Sequence, residues 1–214
     1  MNDADPRASF DPACRRCPRL ANLLERCRAD RPDYHAAPVP PFGDPAARLL
    51  IVGLAPGMHG ANRTGRPFTG DHAGELLYRT LHELGFADRP ESAARDDGLR
   101  LLDVRITNAV KCVPPANRPT PAEIRTCNGF LARELAEHSE TRVVLALGRI
   151  AHDAVLDALA QRRSGAAFGH GREHPLPAGR TLLDSYHCSR YNTQTRRLTP
   201  QMFRAVLARA RELL

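Results

Sequence analysis

Lysine is almost missing from this chain. Of 31 basic residues in 214, a single one, Lys111, is a lysine. Schiff-base chemistry is thereby confined to Lys111 or the N-terminus. Long apolar runs are missing too. No stretch approaches the roughly 18 residues of a membrane span, and the N-terminal region holds no apolar segment of the secretory kind. Neither common phosphate-loop signature occurs: there is no G-x-x-x-x-G-K-[ST] and no G-x-G-x-x-G. A nucleoside triphosphate or a dinucleotide is therefore not the expected ligand. A radical-type triple-cysteine motif is also absent.

What is present is a strongly basic chain, formally +7. Such a balance suits a polyanion, most simply nucleic acid, although arginine-biased composition would produce it without any such partner. Six cysteines occur, at 14, 17, 27, 112, 127 and 188. Without a leader segment, the expected compartment is the reducing cytoplasm, where clustered cysteines point to metal or catalysis rather than disulfides. The length suits one domain, 1–214. Residues 1–12 are expected to be loosely ordered, and 13–28 carry the first cysteine pair.

Strands are expected at 48–53, 101–107, 142–147 and 181–185, from apolar runs bounded by turn residues. Helices are expected at 20–28, 74–84, 120–138, 150–159 and 199–214. The helix near 120 has a capping Thr120, then Pro121, then Glu123. Residues 30–46 are proline-rich and read as an extended connection; 161–179 read as a loop with room for a small hairpin. Four strands alternating with helices imply a three-layer α/β/α fold with a central four-stranded parallel sheet.

Chemistry is expected in two places. Cys14-x-x-Cys17 and the pair Cys112 and Cys127 supply four thiols from distant segments, enough for a tetrahedral metal or a cubane. The second pair is not a C-x-x-C knuckle, which favours a [4Fe–4S] cluster over a zinc ribbon. Buried free cysteine accounts for Cys27 and Cys188. The other place is the shared edge where parallel strands end. The first strand delivers the loop from Gly53 to Asp71, the second delivers Asn108, and the last delivers His187. Phe68 can stack on a flat ring. Asn108 offers a donor and an acceptor to a pyrimidine edge. His187 can stabilise a departing anion, and Asp71 can orient water or favour a sugar cation. Asp71 is equally placed to cap the next helix.

These segments resemble the uracil-DNA glycosylase superfamily, specifically its family 5 of B-type iron–sulfur enzymes. G-L-A-P-G-M-H-G-A-N-R-T-G-R-P-F-T-G-D at 53–71 is similar to that family's first motif, T-N-A-V-K-C-V-P-P-A-N-R-P-T-P at 107–121 to its middle motif, and the stretch from His187 to Thr199 to its third. The resemblance implies a [4Fe–4S] cluster on Cys14, Cys17, Cys112 and Cys127. It implies removal of uracil from double- or single-stranded DNA by a monofunctional glycosylase, with hypoxanthine and xanthine as further bases, acting as a monomer at the nucleoid. Gly53, Leu54, Ala55, Phe68, Asn108 and His187 fall at the base pocket. Catalysis is carried over to Asp71, His187 and Asn108, with His59 assisting. DNA contacts are expected from Arg63, Arg66, Ser189, Arg190, Tyr191 and Asn192.

Two departures stand out. The sister iron–sulfur family has an acidic residue where this chain has Leu54. The third motif reads His187-Cys188-Ser189-Arg190, with Cys188 in place of the usual proline, in the loop expected to wedge into the minor groove. Arg190, Tyr191 and Asn192 are the wedge candidates. The rival readings are a non-catalytic iron–sulfur protein that binds nucleic acid on the same fold, and a redox or zinc protein in which the cysteines are the active part.

Overall fold

The computed structural model describes residues 9–214. The expectation of a loose start over 1–12 lies mostly outside them. Asp11 already turns the chain, its carboxylate accepting from the Ala13 amide at 2.8 Å.

Strands β1 (Phe42–Gly43), β2 (Leu49–Gly53), β3 (Val104–Asn108), β4 (Val143–Leu147), β5 (Glu173–Leu176) and β6 (Arg180–Ser185) form one sheet in the order β1-β3-β2-β4-β6-β5. The four central strands are parallel, as expected. The expectation of a four-stranded sheet needs correcting to six, because an antiparallel strand closes each border. At β1, two residues at the end of a proline-rich stretch give no readable periodicity. At β5, alternation is present but Pro175 disguises it; proline is tolerated there because β5 is an edge.

Successive residues of β2 face opposite layers. Leu49 and Ile51 pack with Leu77 and Leu81 of α3 (His72–Glu83) and Phe203 and Leu207 of α7 (Pro200–Glu212). Leu50 and Val52 pack with Leu131 and Leu135 of α4 (Pro121–Glu137) and Ala151 and Val155 of α5 (Arg149–Ala158). That alternation makes the three layers. Each fully buried leucine such as Leu77 would cost about 2–5 kcal/mol if cut back to alanine. A separate cluster joins Leu20 and Leu24 of α1 (Pro18–Asp30) to Val110, Val113 and Phe130 beside the four cysteines.

Helix starts follow the sequence closely. Thr120 and Glu123 form a reciprocal capping box. Thr199 caps α7, with Pro200 at the first position. Two short helices break segments expected to be loops: α2 (Ala61–Thr64) and α6 (Arg190–Gln194), the latter capped by Ser189. Among the described residues, no helix is long and apolar enough to cross a membrane.

Candidate active site

The C-terminal ends of β2, β3, β4 and β6 open on one cleft of about 660 Å³, within the usual range for small-molecule sites. Its floor is set by the register of β2 and β3, which puts Gly53 beside Asn108. A β-carbon on Gly53 would collide with Oδ1 of Asn108 and lie 2.7 Å from Cζ of Phe68. Glycine is thus what lets a carboxamide and an aromatic ring share this spot. Asn108 is 3% exposed. Among the described residues its carboxamide has no hydrogen-bond partner, although it lines the cleft. Its polar atoms are not among those sealed away without a partner; they face the cleft, where a donor and an acceptor are open to a ligand.

Phe68 reaches the cleft from a left-handed backbone, φ +53°, a strained state for a bulky residue. Its neighbours hold it there. The Tyr78 hydroxyl donates to the Pro67 carbonyl at 2.7 Å, and Gly74 has no β-carbon to strike the Phe68 carbonyl. The Phe68 ring lies nearly parallel to the His187 imidazole, centroids 5.8 Å apart at 28°. Burial pushes His187 down to about 4, so it is neutral at physiological pH and keeps one N–H to donate. Its carbonyl accepts from the Asn192 carboxamide at 2.8 Å, which steadies the loop after β6.

Asp71 caps the next helix and also borders the cleft. Oδ1 caps α3 by accepting from the Gly74 amide at 3.0 Å. The rest of the carboxylate rests over Gly60, where a β-carbon would lie 2.8 Å from Cγ, and borders the cleft. Burial raises its pKa; the Gly74 and Ala73 amides pull the other way.

A model of the uracil DNA glycosylase superfamily matches residues 40–211, which include all four strand ends. This chain belongs to that superfamily. It is 54% identical to the type-5 uracil-DNA glycosylase of Thermus thermophilus, over 94% of both chains. Identity to the type-5 enzyme of Pyrobaculum aerophilum is 46%, over 92% of this chain and 87% of that one. The type-4 uracil-DNA glycosylase of Archaeoglobus fulgidus is more distant, 40% identical over 53% of this chain and 49% of its own.

As a member of this superfamily the chain brings Leu54, Ala55, Phe68, Asp71, Asn108, His187, Ser189, Arg190 and Asn192 to one cleft. Other expected residues lie elsewhere. His59 is exposed and takes the Tyr34 hydroxyl at Nδ1, 2.9 Å away. Arg63 is exposed beside it, its Nε donating to the His59 carbonyl at 2.8 Å. Tyr191 projects outward, 71% exposed. The expectation that Arg66 grips DNA needs correcting. Arg66 is 3% exposed and donates to Asp97 at 2.8 Å, to Ser92 at 2.9 Å and to the Arg95 carbonyl. Its guanidinium also lies 4.3 Å from the centre of the Phe42 ring. It cements a surface loop.

Sequence reasoning also missed part of the cleft. Leu147, Gly148, Arg149 and Ile150 line it from the end of β4, and Asn117, Phe168, Tyr186 and Arg197 from loops. Gly148, closing an apolar strand, was the available signal for the first group. Nothing local marks the loop residues.

Cys14, Cys17, Cys112 and Cys127 surround a small second cavity with Leu20, Val110 and Phe130. Burial raises the Cys17 thiol to about 11, and the neighbouring Cys127 sulfur adds to the rise. Burial likewise lifts Cys112, helped by Cys127, Cys14 and Cys17. Thiols that oppose one another's ionisation in this way suit a shared cation centre, which would reverse the effect. The Lys111 amide already donates to the Cys127 sulfur at 3.3 Å. Cys27 and Cys188 are buried elsewhere. The lone lysine is also accounted for. Lys111 is 2% exposed, bonded to the Thr107 hydroxyl and 3.3 Å from Glu134, which Arg105 also pairs at 2.8 Å.

Proposed function

We propose that this protein is a monofunctional DNA glycosylase that extrudes uracil from DNA and cuts its N-glycosidic bond, the first step of base excision repair. One observation carries the reading: the Asn108 carboxamide, without a hydrogen-bond partner among the described residues, faces the cleft beside Gly53 and Phe68 in a chain of the uracil DNA glycosylase superfamily. The arginines at the rim, Arg149, Arg190 and Arg197, suit phosphate contacts. Turning the nucleotide out of the stack costs a few kcal/mol, least at a mismatch. Phe68 receives the base face, and Asn108 meets its edge with one donor and one acceptor. The C1′–N bond then breaks with both electrons leaving on the base. The neutral His187 donates to the pyrimidine oxygen where that charge gathers. Asp71, as a carboxylate, favours the sugar cation and places the water whose oxygen bonds to C1′, and the proton that water loses neutralises the released base anion. No amine joins the sugar, in keeping with Lys111 being locked to Glu134.

The finer points of the proposal are these. The volume of the cleft and the small Ala55 leave room for a fused ring, which supports hypoxanthine and xanthine as further bases. Cys14, Cys17, Cys112 and Cys127 are assigned a [4Fe–4S] cluster, which would act as a structural brace. Supporting this, the four cysteines line one small cavity together with Leu20, Val110 and Phe130. The protein is taken to work as a one-domain monomer on chromosomal DNA in the cytoplasm.

The test is a duplex with one U:G pair, incubated with stoichiometric protein and then hot alkali. Strand cleavage at the uracil is expected. An intact strand, with the duplex bound, would leave a binding module instead. Asp71→Asn should slow base release by at least about a hundredfold; unchanged turnover would remove Asp71 from the chemistry.

A further inference from the structure

Behind the cleft lies a cluster the proposed reaction does not use. His152 on α5, His174 on β5 and Asp184 on β6 are 1%, 9% and 0% exposed. Their ligating atoms lie within 4.8 Å of one another, near enough for a cation. The bonding of His152 speaks against that use. Its Nδ1 lies 2.7 Å from Oδ1 of Asp184, and its Nε2 lies 2.8 Å from the carbonyl of Ala166. A carboxylate and a carbonyl only accept, so both ring nitrogens must donate, and no lone pair is left for a metal. Asp184 behaves as a carboxylate towards its other neighbours: Oδ2 accepts from His174 Nε2 at 3.1 Å and from the Gly169 amide at 3.1 Å.

The same residues tie down one loop. Ala166 is held by His152, Gly169 by the Asp184 side chain, and Gly171 by the Asp184 carbonyl at 2.8 Å. Between these ties sits Phe168, which lines the cleft. Its ring stands edge-on to His152, centroids 5.7 Å apart at 77°, and touches Tyr186, 6.1 Å away.

We propose that His152 is a positioning residue for the cleft. As an imidazolium clamped between Asp184 and the Ala166 carbonyl, it fixes the 166–171 segment so that Phe168 forms a wall against the extruded nucleotide. The substrate named here rests on the glycosylase reading above; the clamp itself does not. The charged and titratable groups facing His152 are Asp184 from β6, His174 from β5 and Asp153 from its own helix. Burial works against the proton, but the hydrogen bond and charge of Asp184 outweigh it, and the pKa of His152 is raised. Loss of that proton at alkaline pH frees the Ala166 carbonyl and slackens the wall.

The test uses the full chain labelled with ¹⁵N-histidine. At neutral pH both His152 nitrogens are expected to carry protons, the signal being assigned through its contact with the Phe168 ring. A neutral tautomer would overturn the clamp. In kinetics on a uracil duplex, Phe168→Ala and His152→Gln should each raise KM about tenfold and change kcat by less than about threefold. The double variant should be no worse than Phe168→Ala. Wild-type KM should climb towards alkaline pH, and that climb should vanish in Phe168→Ala. A kcat loss at unchanged KM, or full additivity of the two substitutions, would overturn the positioning role. If His152→Gln does not fold, the labelling result and the pH profile of Phe168→Ala still decide. A chain that releases no uracil would defeat the glycosylase reading while leaving the protonation of His152 measurable.

Discussion

Gly53 and Asn108 lie side by side in neighbouring parallel strands, and the missing side chain of one is the space taken by the carboxamide of the other. Gly53→Ala should therefore act at the site rather than on the fold. Its β-carbon meets the Asn108 and Phe68 side chains, not backbone. Uracil release should fall by about a hundredfold or more, as expected for a misplaced reading group, with Tm lowered only slightly. Asn108→Ala should give a comparable loss. Single-turnover excision beside thermal melts separates the two effects. A strongly depressed Tm with normal chemistry would refute the assignment.

His187 gives a stability dependence with a definite sign. It titrates near 6.5 when unfolded and at about 4 when folded, because burial penalises the charged form. Between those values the unfolded chain binds more protons. The contribution is whole above about 6.5 and is lost as pH falls towards 4. Melts over that window should show falling stability, and His187→Gln should flatten the slope. An unchanged slope in the variant would show that other groups govern it.

Two arginines of the same basic chain should part company. Arg190→Ala should weaken DNA binding and reduce the salt slope by about 1, leaving Tm alone. Arg66→Ala should lower Tm by removing the hub bonded to Ser92, Arg95 and Asp97, with the salt slope unchanged. Binding titrations at several salt concentrations read both.

The cysteines divide in the same manner. Substituting serine at 14, 17, 112 or 127 should abolish bound iron and its visible absorption in protein purified without oxygen. Cys27→Ser and Cys188→Ser should keep both, since Cys27 packs against Met58 and Cys188 in the main core. Zinc in place of iron, by metal analysis, would refute the cluster.

Much of this was legible in the residues. The central strands show as apolar runs because both faces are buried. That Asp71, Asn108 and His187 would border one cleft was readable because parallel strands bring their ends to one border. What escaped had no local signature. Arg66 looks like any basic loop residue until Asp97 folds over it. Phe168 and Asn117 reach the cleft through loops whose paths depend on tertiary contacts. The His152–Asp184 pair joins a helix to a strand 32 residues on, a separation no periodicity reports.

The two short antiparallel strands that frame the sheet have a consequence beyond topology. β1 is two residues long, and β5 carries Pro175 and, at Glu173, an ion pair with Arg209. Among the described residues, an intruding chain finds no long, flat row of free amides and carbonyls on either flank to zip onto. A protein that must expose a greasy, aromatic-lined hollow to do its work is thereby spared the other common route to clumping, and crowded copies should stay dispersed.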